Sequence, residues 1–284
     1  MPKFKRFPGL LFPVFAAILC LALSGCNLRG RKVNAEPPPP FHSPFTEMIG
    51  RPGMNINEIK KVLLGRLTDD RSLLASLKLT VGQQRSASRQ QFDVDAYFAP
   101  PDFLRVRGSA DAGSVFDFLL ANQQVQVLVV PERKAYVGTQ AAMRANNTLM
   151  AGLQPEDLMN CFFVQGNFYD LLEGYAGGQL TEQKDHYLVT FNYPTGVTEI
   201  YSLRMSDLLI DRIDRVYRGK SVGYVRFDGY DYYGKKHLLP TRFEASQPSG
   251  AVATVEAVSL TPNAPRTPEL SHFEIPQEFQ RVPL

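Results

Sequence analysis

What the sequence lacks is catalytic equipment. It has no G-x-S-x-G elbow, no H-E-x-x-H, no phosphate-binding glycine loop and no Cys-x-x-Cys pair. The four histidines, His42, His186, His237 and His272, are scattered. Asp185 and His186 are neighbours, but adjacent residues of a strand point to opposite faces, so they read as a surface turn rather than an acid–base pair. Asp93 and Asp95 read as the solvated face of a strand rather than a cation site. The expectation is a protein that is not an enzyme and has neither a metal nor a dissociable cofactor. There is no tryptophan and there are only three cysteines, Cys20, Cys26 and Cys161. Charge of one sign is also missing: 31 basic and 28 acidic residues leave a net +3, no footprint for nucleic acid. A spanning helix needs about 20 apolar residues, and the run that begins near Phe7 is broken by Pro8 and Pro13.

What is there begins with export. Lys3, Lys5 and Arg6 precede that apolar run, and small residues follow it, the order of a secretory signal. Leu23, Ser24, Gly25 and Cys26 then resemble the bacterial lipobox. The resemblance implies a covalent diacylglyceryl and N-acyl lipid on Cys26, and cleavage that leaves residues 1–25 behind as a signal peptide. The loss of three cations leaves 28 basic against 28 acidic residues, so the apparent basicity is a targeting feature. Cys20 leaves with the signal and Cys26 is acylated. Cys161 is then alone, so the fold has no internal disulfide and depends on its hydrophobic core. Asn27, after the cysteine, permits onward sorting by analogy with enterobacteria, which places the anchor at the outer membrane facing the periplasm.

Residues 26–53 read as the lipidated cysteine and a tether. "AEPPPPFHSPF" has five prolines in eleven residues and favours extended polyproline geometry. From residue 54 to 284 the pattern predicts one domain. In "NINEIKKVLLGRL", Asn55 or Asn57 caps a helix with Ile59, Val62, Leu63 and Leu67 on one face. Period-two alternation follows in "QFDVDAYFA", "FLRVRG", "VFDFLLA", "QVQVLVV" and "KAYVG". Two helices are predicted in "QAAMRANNTLMAGLQPEDLMNCFF", with Pro155 in the first turn of the second. Alternation resumes at "HYLVTFNY" and runs through "AVATVEAVSL", for roughly ten strands. The class is α+β, mainly β: an antiparallel sheet covered by an N-terminal helix and short central helices.

The 19 phenylalanines and 12 tyrosines sit largely on alternating strand positions. A filled core and a curved sheet around a lipid-sized hollow give the same pattern. The stretch "FAPPDFLRVRGSADAGSVFDFLLANQQVQVLVVPERKAYVG", the later "YVRFDGYDYYGKKHLLPTRFEAS" and the terminal "FEIPQEF" resemble the LolA/LolB superfamily of lipoprotein carriers and receptors. That resemblance implies a curved half-barrel whose apolar hollow accepts acyl chains, with Phe92, Val94, Phe98, Phe118 and Phe191 as candidate ligand contacts. It also sets the turn Ala112 to Asp117 beside the family's membrane loop, making Val115 and Phe116 candidates for membrane or ligand contact. The chain departs from the receptor in its length, its proline stalk and the absence of a lone leucine at that turn. The function so implied is a lipid-anchored periplasmic lipoprotein that binds acyl chains and takes part in lipoprotein or lipid transfer at the outer membrane. The alternative is a scaffolding lipoprotein of the envelope that holds a protein partner.

Overall fold

Fourteen strands and five short helices account for most of the described residues, which are 41–83, 89–146, 155–174, 178–247 and 250–284 of a computed structural model. The signal segment, the lipobox residues Leu23, Ser24 and Gly25, Cys26 and the first part of the tether lie outside them. Helix α1 (Ile56–Leu64) starts where the sequence supplies a capping box: Asn55 accepts from the Glu58 amide at 3.1 Å, and Glu58 accepts from the Asn55 amide at 2.9 Å. Its buried side chains are Ile59 and Leu63.

The strands form two antiparallel meanders. The first comprises β1 (Leu73–Gln83), β2 (Arg89–Ala99), β3 (Phe103–Ala110), β4 (Gly113–Ala121), β5 (Gln124–Val129) and β6 (Lys134–Thr139). The second comprises β7 (Gln179–Gln183), β8 (His186–Asn192), β9 (Val197–Arg204), β10 (Ile210–Tyr217), β11 (Lys220–Tyr233), β12 (His237–Ser246) and β13 (Ala251–Pro262). The two meanders join where β1 pairs with β13, in the middle of one continuous sheet. Register shifts at Ser76/Leu77, Gly108/Ser109, Arg215/Val216 and around Gly229 mark bulges, which bend strands and increase their twist.

This order forces the central helices across the sheet. The chain leaves β6 near one margin and must enter β7 at the other. It does so through α2 (Gln140–Asn146), α3 (Pro155–Phe162) and α4 (Val164–Gly174). The sequence indicates two helices here, and α4 is a third: Val164, Phe168 and Leu172 return at the spacing of a buried helical face. Phe162 packs its ring on Phe98 at 5.4 Å and on Phe243 at 5.3 Å, from opposite sides of the β1–β13 seam. Phe168 sits on Phe191 and Tyr201. The inner face of the sheet is therefore filled at its centre.

The ends of the described chain are straps. Residues 41–54, of which 41–53 read as tether in the sequence, lie on the second meander. His42 bridges Gly229, Phe41 meets the Tyr230 ring at 6.2 Å, and Phe45 meets Tyr232 edge-on at 6.0 Å. The Tyr187 hydroxyl donates to the Arg51 carbonyl and accepts from the Met54 amide. The aromatic residues among the prolines explain the difference, because Phe41 and Phe45 have apolar surface to bury. After β13 the chain crosses the outer face through α5 (Pro268–Ser271) and ends in β14 (Gln280–Pro283), which pairs with β6 in parallel. Arg105, 3% exposed, holds this strap: it donates to Asp117 at 2.7 and 2.6 Å and to the His272 carbonyl at 2.8 Å.

Three strands are absent from the sequence reading. β1 carries Leu73, Ala75, Leu77 and Leu79 on its inner face, but Leu74 on the other face blurs the alternation. β7 and β14 are short, polar margin strands with too few apolar residues to signal themselves.

Candidate functional site

An open groove of about 990 Å³ lies between α3 and α4 on one side and the ends of β9 to β12 on the other. Cys161, Val164 and Leu171 line it from the helices; Tyr193, Tyr201, Ile213 and Val225 line it from the strands. A local backbone feature lies on its lining. Arg215 pairs with Gly223 but Val216 pairs with Ser221, so Val222 is an extra residue that bulges toward the groove. Gly223 takes φ +143 there, and a Cβ on it would stand 2.7 Å from the Ser246 carbonyl oxygen. Only glycine accommodates both demands.

The groove has a charged margin. Arg215 and Glu199 are cross-strand partners, and the guanidinium donates to Glu199 at 2.8 Å. It also donates to Asp157 of α3 at 3.2 Å, so one side chain joins sheet to helix. Glu199 accepts from the Tyr193 hydroxyl at 3.1 Å and from the Tyr201 hydroxyl at 3.2 Å. Burial alone would lower the Arg215 pKa, but Asp157 and Glu199 outweigh it and the pKa rises. Burial, and after it the Glu199 carboxylate, pushes the Tyr201 phenol up, which keeps it a hydrogen-bond donor. Burial likewise raises the Cys161 pKa, with Asp157 adding to it, so the thiol stays protonated. Asp157 and Glu199 contact the one guanidinium of this lining, and Asp170 is a third carboxylate on it.

The sequence candidates lie elsewhere on the sheet. Phe98 and Phe191 are fully buried, and Phe118 and Val94 nearly so, within the filled core. Val115 and Phe116 belong to β4, because the turn is shorter than 112–117 and β4 already begins at Gly113. Phe116 lies across Gly108, whose missing Cβ would sit 2.1 Å from the ring, and meets Phe92 edge-on at 6.2 Å. None of these seven residues lines the groove. The signal for the groove was present in "TEIYSLRM" and "LIDRIDRVY". There Glu199 shares a face with Tyr201, and Arg215 with Ile213, a charge placed one step from an apolar position.

The remaining titratable groups form local pairs. His186 contacts Asp185 through Nδ1 at 2.8 Å and Asp211 through Nε2 at 2.7 Å. Asp185 reaches the ring because it sits in the β7–β8 turn, where strand alternation does not apply. His237 contacts Asp70. Among the described residues, no group of three or more His, Cys, Asp or Glu side chains could hold a metal ion, and no helix is long and apolar enough to cross a membrane.

The fold is similar to that of solved LolA superfamily proteins and their structural relatives. A putative outer-membrane lipoprotein-sorting protein domain from Vibrio parahaemolyticus matches with a TM-score of 0.51 at 9% identity, over 76% of this chain and 96% of that one. A DUF1329 family protein from Desulfovibrio piger matches with a TM-score of 0.53 at 13% identity, over 75% and 95%. A LolA superfamily protein from Nitrosomonas europaea matches with a TM-score of 0.50 at 10% identity, over 76% and 96%. At these identities the likeness is one of fold. No family model matches the sequence, and no curated protein matches it.

Proposed function

We propose that the chain is a non-catalytic lipoprotein of the bacterial envelope that takes an acyl chain into the groove beside α3 and α4. In this reading it is anchored through lipid on Cys26 at the outer membrane, faces the periplasm, and takes part in moving lipoproteins or lipids. The observation that carries the reading is the groove itself. Its volume falls in the range of about 300–1,000 Å³ typical of ligand clefts, and its lining sets Val164, Leu171, Tyr201, Ile213 and Val225 beside the Arg215 ion pairs. Each methylene buried there gains about 0.8 kcal/mol. The centre of the half-barrel is closed to a ligand by Phe162 and Phe168, so the acyl chain enters at the side. Half-buried Phe92, Val115 and Phe116 are the sequence candidates left open to further contact; Val94, Phe98, Phe118 and Phe191 support the core beneath.

The filled centre also favours the second reading, a scaffold that holds an envelope protein. One experiment separates them. Lipid is extracted from full-length protein purified from membranes and analysed by mass spectrometry; the covalent anchor stays with the protein. Binding of a fluorescent fatty acid is measured alongside, with Ile213→Trp to fill the groove. Extracted lipid, and probe binding at least tenfold weaker in the variant, supports the carrier. No lipid, no probe binding and a stoichiometric protein partner would overturn it.

A further inference from the structure

The β10–β11 hairpin ends in the turn Tyr217–Arg218–Gly219–Lys220, with Arg218 at φ 49 and Gly219 at φ 76. Two consecutive left-handed residues match the twist of the flanking strands and fix how the tip points. The Arg218 amide donates to the Gly196 carbonyl at 3.2 Å, tying this tip to the β8–β9 turn. Behind it, Gly223 lies against Ser246 at the end of β12. Three strand ends thus form one continuous margin, and the groove opens beside it, since Tyr193, Val222, Ser246 and Gln247 line both.

The chemistry of this margin is one-sided. Tyr217 and Val222 remain 39% and 37% exposed, the only large apolar side chains left in the open along it among the described residues. Over residues 193–198, 217–223, 246–247 and 250–252 there is no carboxylate, and the only cations are Arg218 and Lys220. Both are exposed, and the Arg218 guanidinium lies 5.1 Å from the centre of the Tyr217 ring. An aromatic and an aliphatic side chain flanked by two basic ones is the composition that settles at a headgroup boundary.

We infer that this margin is a docking surface for an anionic lipid bilayer, with Arg218 and Lys220 against the headgroups and Tyr217 and Val222 at the acyl boundary. Charge complementarity selects the occupant, because two exposed cations on margin segments that carry no carboxylate of their own suit an anionic lipid surface. The docking brings the mouth of the groove to the membrane. It is separate from the turn near Val115 and Phe116, and it stands whether or not the groove takes a ligand.

Because the chain has no tryptophan, Val222→Trp introduces a sole indole reporter in the full-length protein. The protein is mixed with vesicles of brominated phosphatidylcholine, with or without about a third phosphatidylglycerol. Docking predicts a blue shift and quenching only where the anionic lipid is present. A separate reporter, Tyr232→Trp at the other end of the same hairpin pair, should stay unquenched. Arg218→Gln with Lys220→Gln should lower vesicle partitioning about thirtyfold, about fivefold for each cation. Quenching that ignores lipid charge, that is equal at both reporters, or that is absent overturns the inference. Fatty-acid probe binding in the double variant reads the groove separately, so failure of docking and failure of the carrier reading are distinguishable.

Discussion

Phe98 of β2 and Phe162 of α3 meet ring to ring, 5.4 Å apart at 48°, across the inner face of the sheet. Phe162 also touches Phe243 of β12, so one side chain packs against both meanders at once. It is 2% exposed, and truncation there leaves a cavity that neither meander can close alone. Phe162→Ala should lower unfolding free energy by about 3–5 kcal/mol in urea titrations. A loss below about 1 kcal/mol would mean that the helix does not clamp the seam.

The outer strap hangs on Arg105. Removing the guanidinium leaves the Asp117 carboxylate, 19% exposed, without its bidentate partner and frees the carbonyls of Leu270 and His272. Arg105→Ala is expected to cost about 3–5 kcal/mol, the range for breaking a buried pair. Hydrogen exchange should speed up in residues 264–273 and β14 before it changes in β10. Uniform exchange across the sheet would refute a local strap.

His186 supplies a pH dependence with a definite sign. Burial pulls its pKa down, but hydrogen bonds and charge from Asp211 and Asp185 outweigh this, so the folded value is raised above the ordinary 6.5. The group therefore contributes stability that is fully present below the unfolded pKa and is lost as pH rises through the folded one. His186→Gln should destabilise more at pH 5 than at pH 8, as read by thermal melts. An equal effect at both pH values would remove the ion pairs from the account.

At the start of α1, Asn55→Ala deletes the acceptor for the Glu58 amide. The expected loss is about 0.5–2 kcal/mol, measurable as a shift in the urea midpoint. Asn57→Ala, one position inside the helix, should be close to neutral. The reverse order would move the cap.

Much of this fold is legible in sequence, and the reasons differ between elements. β8 announces itself because Tyr187, Val189 and Phe191, all three buried, alternate against His186, Thr190 and Asn192, with Leu188 the one apolar residue on the opposite face. Asn55 announces α1 through the Glu three residues on. β7 does not, since Gln179, Thr181, Glu182 and Gln183 stand at an exposed margin and nothing selects an apolar pattern. The groove was legible only in part. The alternation of β9 and β10 gives the inward residues, but that α3 sets Asp157 beside Arg215 is a tertiary fact. Of the phenylalanines singled out as ligand contacts, Phe98, Phe118 and Phe191 are buried in the core by the same alternation that drew attention to them. A period of two reports which face is inward and carries no information about how fully the helices fill it.

The pairing of β1 with β13 bears on the order in which the chain can mature. Leu73 faces Pro262 and Gln83 faces Ala251, so every rung of this ladder closes a loop of well over a hundred residues. Neighbouring strands within each meander, by contrast, are separated in sequence by only a few residues. Local hairpins form quickly, while ladders between distant segments wait on slow loop closure. Until β13 arrives, β1 has an open flank bearing Leu77, Leu79 and Val81. A newly made chain then presents an unpaired, apolar strand, which is an aggregation hazard. The central seam thus belongs, with the β6–β14 pairing, to the late-forming parts of the sheet, and it is the longer ladder left open in the meantime.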